Sequence, residues 1–178
     1  WDARRDWPDQ DIKSGVTAVV TAWPTNDPPT YMVVSLTDRN DVKFYVDEAH
    51  LPGGAGVSNR IYKTTKLLMR RIPAAGVTWR RGSLTTERGR GTNETAQEVM
   101  LASDFYLGVY EVTGPQYNAM TSGSAITPDS SIVPKNRIAY DTIRGTEFSW
   151  PGDGHKVAGT SFFGKLRDFA GGGDFDFP

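Results

Sequence analysis

The chain has 178 residues, 38% of them hydrophobic, with 20 basic side chains against 21 acidic ones. This balance of charge argues against a strongly basic nucleic-acid binder or an acidic solvating tail. There is no cysteine, which excludes disulfides, thiolate nucleophiles and cysteine-ligated metal sites within these residues. The sequence has no run of about 18 apolar residues, so it predicts no membrane-spanning helix.

Residues 1–60 are predicted to be the end of a β-rich module. Segments 16–23, 31–36 and 42–46 are rich in β-branched and aromatic residues and are separated by turn-forming residues. Short neighbouring strands joined by tight turns favour an antiparallel sheet of the β-sandwich kind. The glycine-rich segment 52–56 is interpreted as a boundary loop.

Residues 61–178 are predicted to form a second domain of the α+β class with much irregular structure. Its predicted strands cover residues 66–73, 77–80, 99–101 and 105–112. A polar loop, residues 84–98, separates the second of these strands from the third. After residue 125 the chain is interrupted by three prolines, Pro128, Pro134 and Pro151, which predict a long irregular stretch.

Two short helical segments are expected in this domain. Thr113 is predicted to cap a helix that has Pro115 in its first turn, where the missing N–H costs nothing. Residues 122–124 end this helix, because they contain glycine between two serines. Residues 140–144 predict one helical turn, which Asp141 could cap.

The strongest helix pattern covers residues 161–169. Its apolar side chains recur at three- and four-residue spacing and share one face: Phe162, Phe163, Leu166 and Phe169. Thr160 or Ser161 is expected to cap its start, and Gly171 is expected to provide a left-handed stop.

A basic cluster between residues 60 and 90 is one candidate site. Its members are Arg60, Lys63, Lys66, Arg70, Arg71, Arg80, Arg81, Arg88 and Arg90, with Glu87 as the one acid in the stretch. Such a cluster could bind phosphates or an anionic glycan. The favoured interpretation is that these charges guard edge strands and loops, because no aromatic stacking ladder accompanies them.

Two further candidates contain acidic residues. Asp153 could orient His155 as a base or metal ligand, although a single loop histidine is more often simply solvated. Asp174 and Asp176 would lie on one side of a strand and could bind a cation. The sequence shows no pairing of a nucleophile with a histidine, so no catalytic residue is assigned.

Three segments in a fixed order carry a family resemblance. Residues 71–83 read RIPAAGVTWRRGS, residues 93–117 read NETAQEVMLASDFYLGVYEVTGPQY, and residues 138–178 contain IAYDTIRG followed by the predicted helix and FDFP. They are similar to IPGGxFxMGS, to NExPxHxVxLxxFYxGxYEVTxxQY, and to VSWxDA followed by the start of RLPTEAEWEYA. Together they resemble the formylglycine-generating-enzyme, or sulfatase-modifying-factor, family.

The resemblance implies a C-type-lectin-like α+β fold, truncated here and preceded by the strands of the β-sandwich-like module. The residues that match the longest motif are given structural roles: Phe105, Tyr106, Gly108, Tyr110, Glu111, Val112, Thr113 and Tyr117. The core of the strand is expected to contain Phe105, Leu107, Val109 and Val112. Glu111 and Thr113 are expected to pin the turn from strand to helix, and Tyr117 to pack back onto that turn.

The chain also departs from the family pattern. Ala96 and Glu98 stand where the family usually has proline and histidine, and Trp79 and Arg81 replace phenylalanine and methionine. Active members use calcium and copper, but the ligands for both are expected beyond Pro178. The resemblance therefore assigns no catalytic, metal or cofactor residue to this chain.

The first functional hypothesis follows from the resemblance. The chain is expected to be an N-terminal piece of such a domain in a larger bacterial protein, whose parent oxidises cysteine in a protein substrate. The piece alone is expected to be inactive. Both ends of the chain are interpreted as cut.

The alternative is a non-catalytic, lectin-like module that binds a glycan or a protein through loops 84–98 and 123–137. A phosphate or nucleic-acid binder ranks below both. No targeting segment is visible, and an exported or periplasmic location is compatible with these features.

Overall fold

The structure, a computed structural model, describes residues 27–149 and 152–172. The strands in these ranges are β1 (Tyr31–Ser35), β2 (Val42–Tyr45), β3 (Lys66–Ile72), β4 (Thr78–Arg81), β5 (Gln97–Met100) and β6 (Phe105–Gly108). The α-helices are α1 (Gly114–Ser122), α2 (Tyr140–Arg144) and α3 (Phe162–Phe169). Short 3-10 helices cover Glu48–His50, Gly56–Ser58 and Arg60–Lys63. The arrangement is mixed α and β with a small antiparallel sheet, as expected for an α+β domain.

The larger sheet has the strand order β2–β1–β3–β6, and every neighbouring pair is antiparallel. All five residues of β1 are buried, which explains why its sequence is a continuous apolar run rather than an alternating one. The predicted domain boundary at residue 60 falls between β1 and β3. These two strands are hydrogen-bonded neighbours, so the described residues on both sides of that position share one sheet.

The two faces of this sheet carry separate cores, because successive side chains of a strand point to opposite faces. Met32 and Val34 pack with helices α1 and α3 in the first core, which also contains Leu36, Leu67, Met120, Phe162, Leu166 and Ala170. Tyr31 and Val33 point the other way, toward the 3-10 helices, and form the second core with Leu51, Tyr62 and Leu68. No helix in the described part is long and apolar enough to cross a membrane.

Strands β4 and β5 form a separate two-stranded sheet, which we call the β4–β5 hairpin (residues 78–100). Seven of its eight paired residues are exposed and the eighth, Val99, is intermediate. The hairpin is tied to the rest of the chain at its base. There the N–H of Gly76 donates to the carbonyl of Leu101 over 2.9 Å, and the N–H of Ala75 donates to Asp104 over 3.0 Å.

The predicted helix boundaries are confirmed for α1 and α3. Thr113 caps α1, and Gly123 ends it with a left-handed φ of 68°. The Ser161 side chain accepts from the N–H of Gly164 and caps α3. The prediction that Asp141 caps α2 is wrong, because this residue lies within the first turn and the cap position is Ala139, which makes no side-chain cap bond.

Strand β6 corrects a further prediction. The strand was expected over residues 105–112, but it ends at Gly108. Phe105 and Leu107 are 41% and 57% exposed, so their expected place in the strand core is wrong. Their face of the sheet is covered by the second core only near β1 and the start of β3, and the cover does not extend to this part of β6. The predicted strand 16–23 lies outside the described residues.

Candidate functional site

The residues of the longest family-like motif meet at a strand-to-helix junction, residues 109–117. At its start, Tyr110 turns back toward the 3-10 helices, where its hydroxyl donates to the carbonyl of Val57 over 3.0 Å. The ammonium of Lys63 lies 4.2 Å from the centroid of the Tyr110 ring, a cation–π contact. The chain therefore leaves the sheet while remaining bonded to the segment that covers it.

A reciprocal capping box defines the start of α1. The Thr113 hydroxyl accepts from the backbone N–H of Gln116, and the side-chain oxygen Oε1 of Gln116 accepts from the backbone N–H of Thr113 over 2.9 Å. These two bonds satisfy donors that a helix start leaves without partners. Sequence reasoning identified Thr113 but missed Gln116. The Thr-x-x-Gln spacing of a capping box was the signal that could have found it.

Gln116 also joins the junction to distant parts of the chain. Its amide nitrogen donates to the carbonyl of Tyr62 over 3.2 Å and to that of Lys66 over 2.9 Å. The Thr113 hydroxyl donates to the carbonyl of Lys63 over 3.1 Å. Gln116 and Thr113 are each 1% exposed, so water cannot replace these bonds. Glutamine suits this position because one side chain both donates and accepts, whereas an ionised glutamate only accepts.

Tyr62 lies under this network and is itself 1% exposed. Its hydroxyl donates to the carbonyl of Pro52 over 2.9 Å. Burial raises the pKa of Tyr62 to about 12, because the phenolate would have to exist away from water. The residue is therefore a neutral structural donor rather than a proton-transfer group near neutral pH.

The other motif residues lie on β6 and in the turn that follows it. The half-buried Tyr106 donates its hydroxyl to the carbonyl of Pro29 over 2.7 Å, and burial raises its pKa. Gly108 ends β6. Glu111 is exposed, and the bonds that hold the turn come from Thr113 and its capping-box partner instead, so the role expected of Glu111 is wrong.

One aromatic and two aliphatic positions complete the motif. Val112 packs against the first core and Val109 against the second, as expected. Tyr117 was expected to pack back onto the turn, and the structure shows its contact with another helix. Its ring stacks on Phe162 of α3, with 5.3 Å between ring centroids and 16° between the planes. The motif thus connects α1 to α3 as well as to the sheet.

The IAYDTIRG segment has a second bonding centre that sequence reasoning missed. Arg144 is 1% exposed, and its guanidinium donates to the carbonyls of Gly154 and Lys156. The next residue, Gly145, has a φ of 88°, and a Cβ there would collide with the side chain of Ala158. The Arg-Gly pair therefore allows the end of α2 to lie against the loop that leads to α3.

An open cavity of about 230 Å³ lies beside this centre. It is lined by carboxylates, hydroxyls and small side chains: Asp141, Thr142, Gly145, Thr146, Glu147, Ala158, Thr160 and Ser161. The described residues contain no group of three or more histidine, cysteine or acidic side chains that could hold a metal ion. Calcium takes six to eight oxygen ligands, and Asp141 and Glu147 are the two carboxylates among the lining residues.

The basic cluster does not converge on one site. Arg60 donates to the carbonyls of Pro128 and Ser130 and so fastens the 123–137 loop. Arg71 lies 3.8 Å from the carboxylate of Asp104. Arg80 and Arg81 lie on β4 in the exposed hairpin, at the other end of the cluster. Arg60 and Arg71 therefore serve separate local contacts, which fits the favoured interpretation of the sequence.

The acidic candidates have local roles where they can be described. The Asp153 carboxylate accepts from the backbone N–H of Ser149 over 2.9 Å, which closes a loop turn. The backbone carbonyl of His155 accepts from Arg167 of α3 over 2.9 Å. Asp174 and Asp176 lie outside the described residues.

A set of exposed apolar side chains is a further feature of the structure. Its members lie on the β4–β5 hairpin, just before it, or on β6: Val77, Trp79, Leu84, Met100, Phe105 and Leu107. Each is at least 41% exposed. They do not form one patch, because Met100 pairs with Thr78 and Trp79 pairs with Val99, so Trp79 and Met100 point to opposite faces of the hairpin.

Comparison with family models, curated proteins and solved structures gives no match for this chain. The similarity to the formylglycine-generating-enzyme family therefore depends on the three sequence motifs alone. The functions that this similarity implies remain proposals.

Proposed function

We propose that the chain is the N-terminal part of a formylglycine-generating-enzyme-like domain in a larger bacterial protein. The parent protein then oxidises a cysteine of a protein substrate to formylglycine. Within that domain the described residues provide the framework, and the reacting groups come from outside this chain. The single observation that supports the proposal is the bonding of the strand-to-helix junction.

The junction supplies a physical reason for the residue pattern that resembles the family. In the segment YEVTGPQY, the first tyrosine bonds the 3-10 region, the threonine and glutamine form the capping box, and the last tyrosine stacks on α3. These are specific bonds that tolerate few substitutions. A motif with such structural demands is expected to recur wherever this framework is used.

The metals of active family members do not fit the residues of this chain. A copper site built on cysteine has no ligand here, because the chain contains no cysteine. The described residues also provide no cluster of three candidate metal ligands. No catalytic step is therefore assigned to these residues.

The experiment is a peptide oxidation assay on the parent protein encoded by the full reading frame. A cysteine-containing sulfatase peptide is incubated with the copper-loaded parent, and formylglycine is detected by mass spectrometry and by its aldehyde reactivity. The matched control is residues 1–178 alone, which we expect to be inactive. An inactive parent contradicts the oxidase, and an active control contradicts the framework role.

The second candidate function is a lectin-like module for a glycan or protein, and the exposed ring of Trp79 favours it. Trp79 is 44% exposed on β4, where its ring could stack on a sugar or insert into a partner. A glycan array and a protein-capture assay on the parent test this candidate beside the oxidation assay. Trp79→Ala is expected to abolish binding, with Arg80→Ala as the control for a nonspecific effect of the hairpin.

A further inference from the structure

Strand β6 has an open edge. It is the last strand of the larger sheet, and among the described residues only β3 pairs with it. The N–H of Val109 donates to the carbonyl of Leu68. Because backbone groups alternate in direction along a strand, those of Phe105 and Leu107 also face β3. The groups of Tyr106 and Gly108 therefore face the open edge.

The bonding of β3 supports the same alternation. The N–H of Arg71 donates to the carbonyl of Thr30 on the β1 side, so Arg70 and Ile72 face β6. Their register partners are Leu107 and Phe105. The hydrogen bonds of Val109 and Arg71 thus both indicate that the backbone groups of Tyr106 and Gly108 face the open edge.

Apart from its short length of four residues, this edge lacks the features that usually prevent strands from pairing between molecules. Natural edges carry charges, prolines or bulges, but Phe105–Gly108 contains none of these. The opposite edge, β2, carries Lys43, whose ammonium pairs with Asp41 over 3.1 Å. An uncharged edge with exposed side chains favours an added strand.

We propose that the β6 strands of two copies of this chain pair antiparallel about a two-fold axis at Leu107. Tyr106 of each copy then forms a hydrogen-bonded pair with Gly108 of the other, because these residues direct their backbone groups outward. Leu107 faces Leu107 of the other copy. The result is one continuous sheet of eight strands, and the inference is independent of the proposed function.

The side chains of this register complement themselves. On one face the two Leu107 side chains meet, as expected of a non-hydrogen-bonded pair whose Cα atoms are about 4.5 Å apart. On the other face, the Tyr106 ring is turned toward Phe44 of β2 and the Pro29 carbonyl of its own chain, and Gly108 has no side chain, so neither residue obstructs the added strand. The leucines bury surface that is 57% exposed in the single chain.

The charges nearest to the axis do not oppose the pairing. Arg70 pairs with Leu107 across β3 and β6, so the two copies of Arg70 are separated by three strand spacings. At about 4.8 Å per spacing this distance is about 14 Å. The Debye length at physiological salt is about 8 Å, so repulsion between these arginines is largely screened.

A single cysteine tests the register directly, because the chain has no other cysteine. Leu107→Cys places two thiols across the axis, within the Cα separation that a disulfide needs. Under mild oxidation most of this variant is expected to become a covalent dimer. Lys43→Cys, on the opposite edge, is the matched control and is expected to remain monomeric. Equal crosslinking of the two variants overturns the proposal.

Analytical ultracentrifugation of the unmodified chain provides the second test. We expect a concentration-dependent dimer, and Leu107→Lys is expected to weaken it about tenfold or more by opposing two like charges. Leu84→Lys, at another exposed leucine, is expected to leave the dimer unchanged. A chain that remains monomeric up to about 1 mM overturns the proposal. If that monomer also protects the Tyr106 and Gly108 amides from hydrogen exchange, another segment of the same chain covers the edge.

Discussion

The strand-to-helix junction and the β4–β5 hairpin show two different uses of one chain. Gln116 in the junction is 1% exposed and bonds three backbone groups. Trp79 and Met100 in the hairpin are 44% and 65% exposed. Large aromatic and thioether side chains normally contribute most when they are buried. Here the buried side-chain amide of Gln116 is expected to contribute more to the free energy of unfolding than the exposed ring of Trp79.

The difference follows from what each substitution leaves behind. Removal of a buried side chain that satisfies several backbone groups leaves those groups without water or protein partners, at a cost of about 1–3 kcal/mol each. Removal of an exposed side chain leaves groups that water already reaches. The junction therefore stabilises the fold, whereas the hairpin is available for binding.

The largest effect is expected for Gln116→Leu. This change keeps the volume but leaves the N–H of Thr113 and the carbonyls of Tyr62 and Lys66 unpaired, so the free energy of unfolding should fall by about 3 kcal/mol. Urea unfolding followed by circular dichroism measures it. Asn118→Ala, on the exposed side of the same helix, is the control, with an expected change below about 0.5 kcal/mol. Similar losses for both variants would mean that the buried hydrogen bonds of Gln116 add nothing to the free energy of unfolding.

Thr113→Ala is expected to cost about 2 kcal/mol. The variant loses the helix cap and the hydrogen bond to the Lys63 carbonyl, and it leaves the N–H of Gln116 unsatisfied. Thr113→Ser retains the hydroxyl and should recover most of the loss in the same urea titration. If the serine variant is as unstable as the alanine variant, the methyl group rather than the hydroxyl stabilises the junction.

Tyr62→Phe is expected to cost about 1 kcal/mol at neutral pH, through the lost bond to the Pro52 carbonyl. It also changes the response to alkali. Burial raises the pKa of Tyr62 to about 12, above its unfolded value near 10, so the neutral phenol stabilises the fold fully below about pH 10. That contribution declines as the pH rises toward 12.

Unfolding free energies at about pH 9 and about pH 11 measure this slope. The Tyr62→Phe variant should lose less stability across that window than the unmodified chain. Some slope should remain, since burial also raises the pKa of Tyr106. Identical slopes for the two proteins would show that Tyr62 ionises as freely in the folded state as in the unfolded chain.

The smallest effect is expected for Trp79→Ala in the hairpin. Its side chain is 44% exposed on a strand whose residues are all exposed, so the unfolding free energy should change by less than about 0.5 kcal/mol. A loss near that of Gln116→Leu, in the same urea titration, would contradict the comparison. It would show that the hairpin is packed against a part of the chain outside the described residues.

Much of the local structure could be predicted from the sequence. The predicted strands 31–36, 42–46, 66–73 and 77–80 agree with β1 to β4 within a residue or so at each end, because apolar and β-branched runs bounded by turn residues are local signals. The helix starts at Thr113 and Ser161 were predicted for the same reason. A cap is a bond between neighbours in sequence.

The burial of β6 could not be predicted in the same way. Alternation of side chains shows that Phe105 and Leu107 share a face, but it does not show whether any layer covers that face. The buried polar residues were missed for a related reason. Gln116 and Arg144 are polar types that are usually exposed, and only the packed chain brings their carbonyl partners to them.

The sequence by itself determined the positions of most strands, the caps of α1 and α3 and the absence of thiol chemistry, since these depend on residue types and on contacts over a few positions. The tertiary structure decided which strands are neighbours, which faces are covered and which polar side chains are buried. Those features depend on contacts between residues far apart in the chain. Gln116, whose amide nitrogen bonds carbonyls 50 and 54 positions away, shows the difference most clearly.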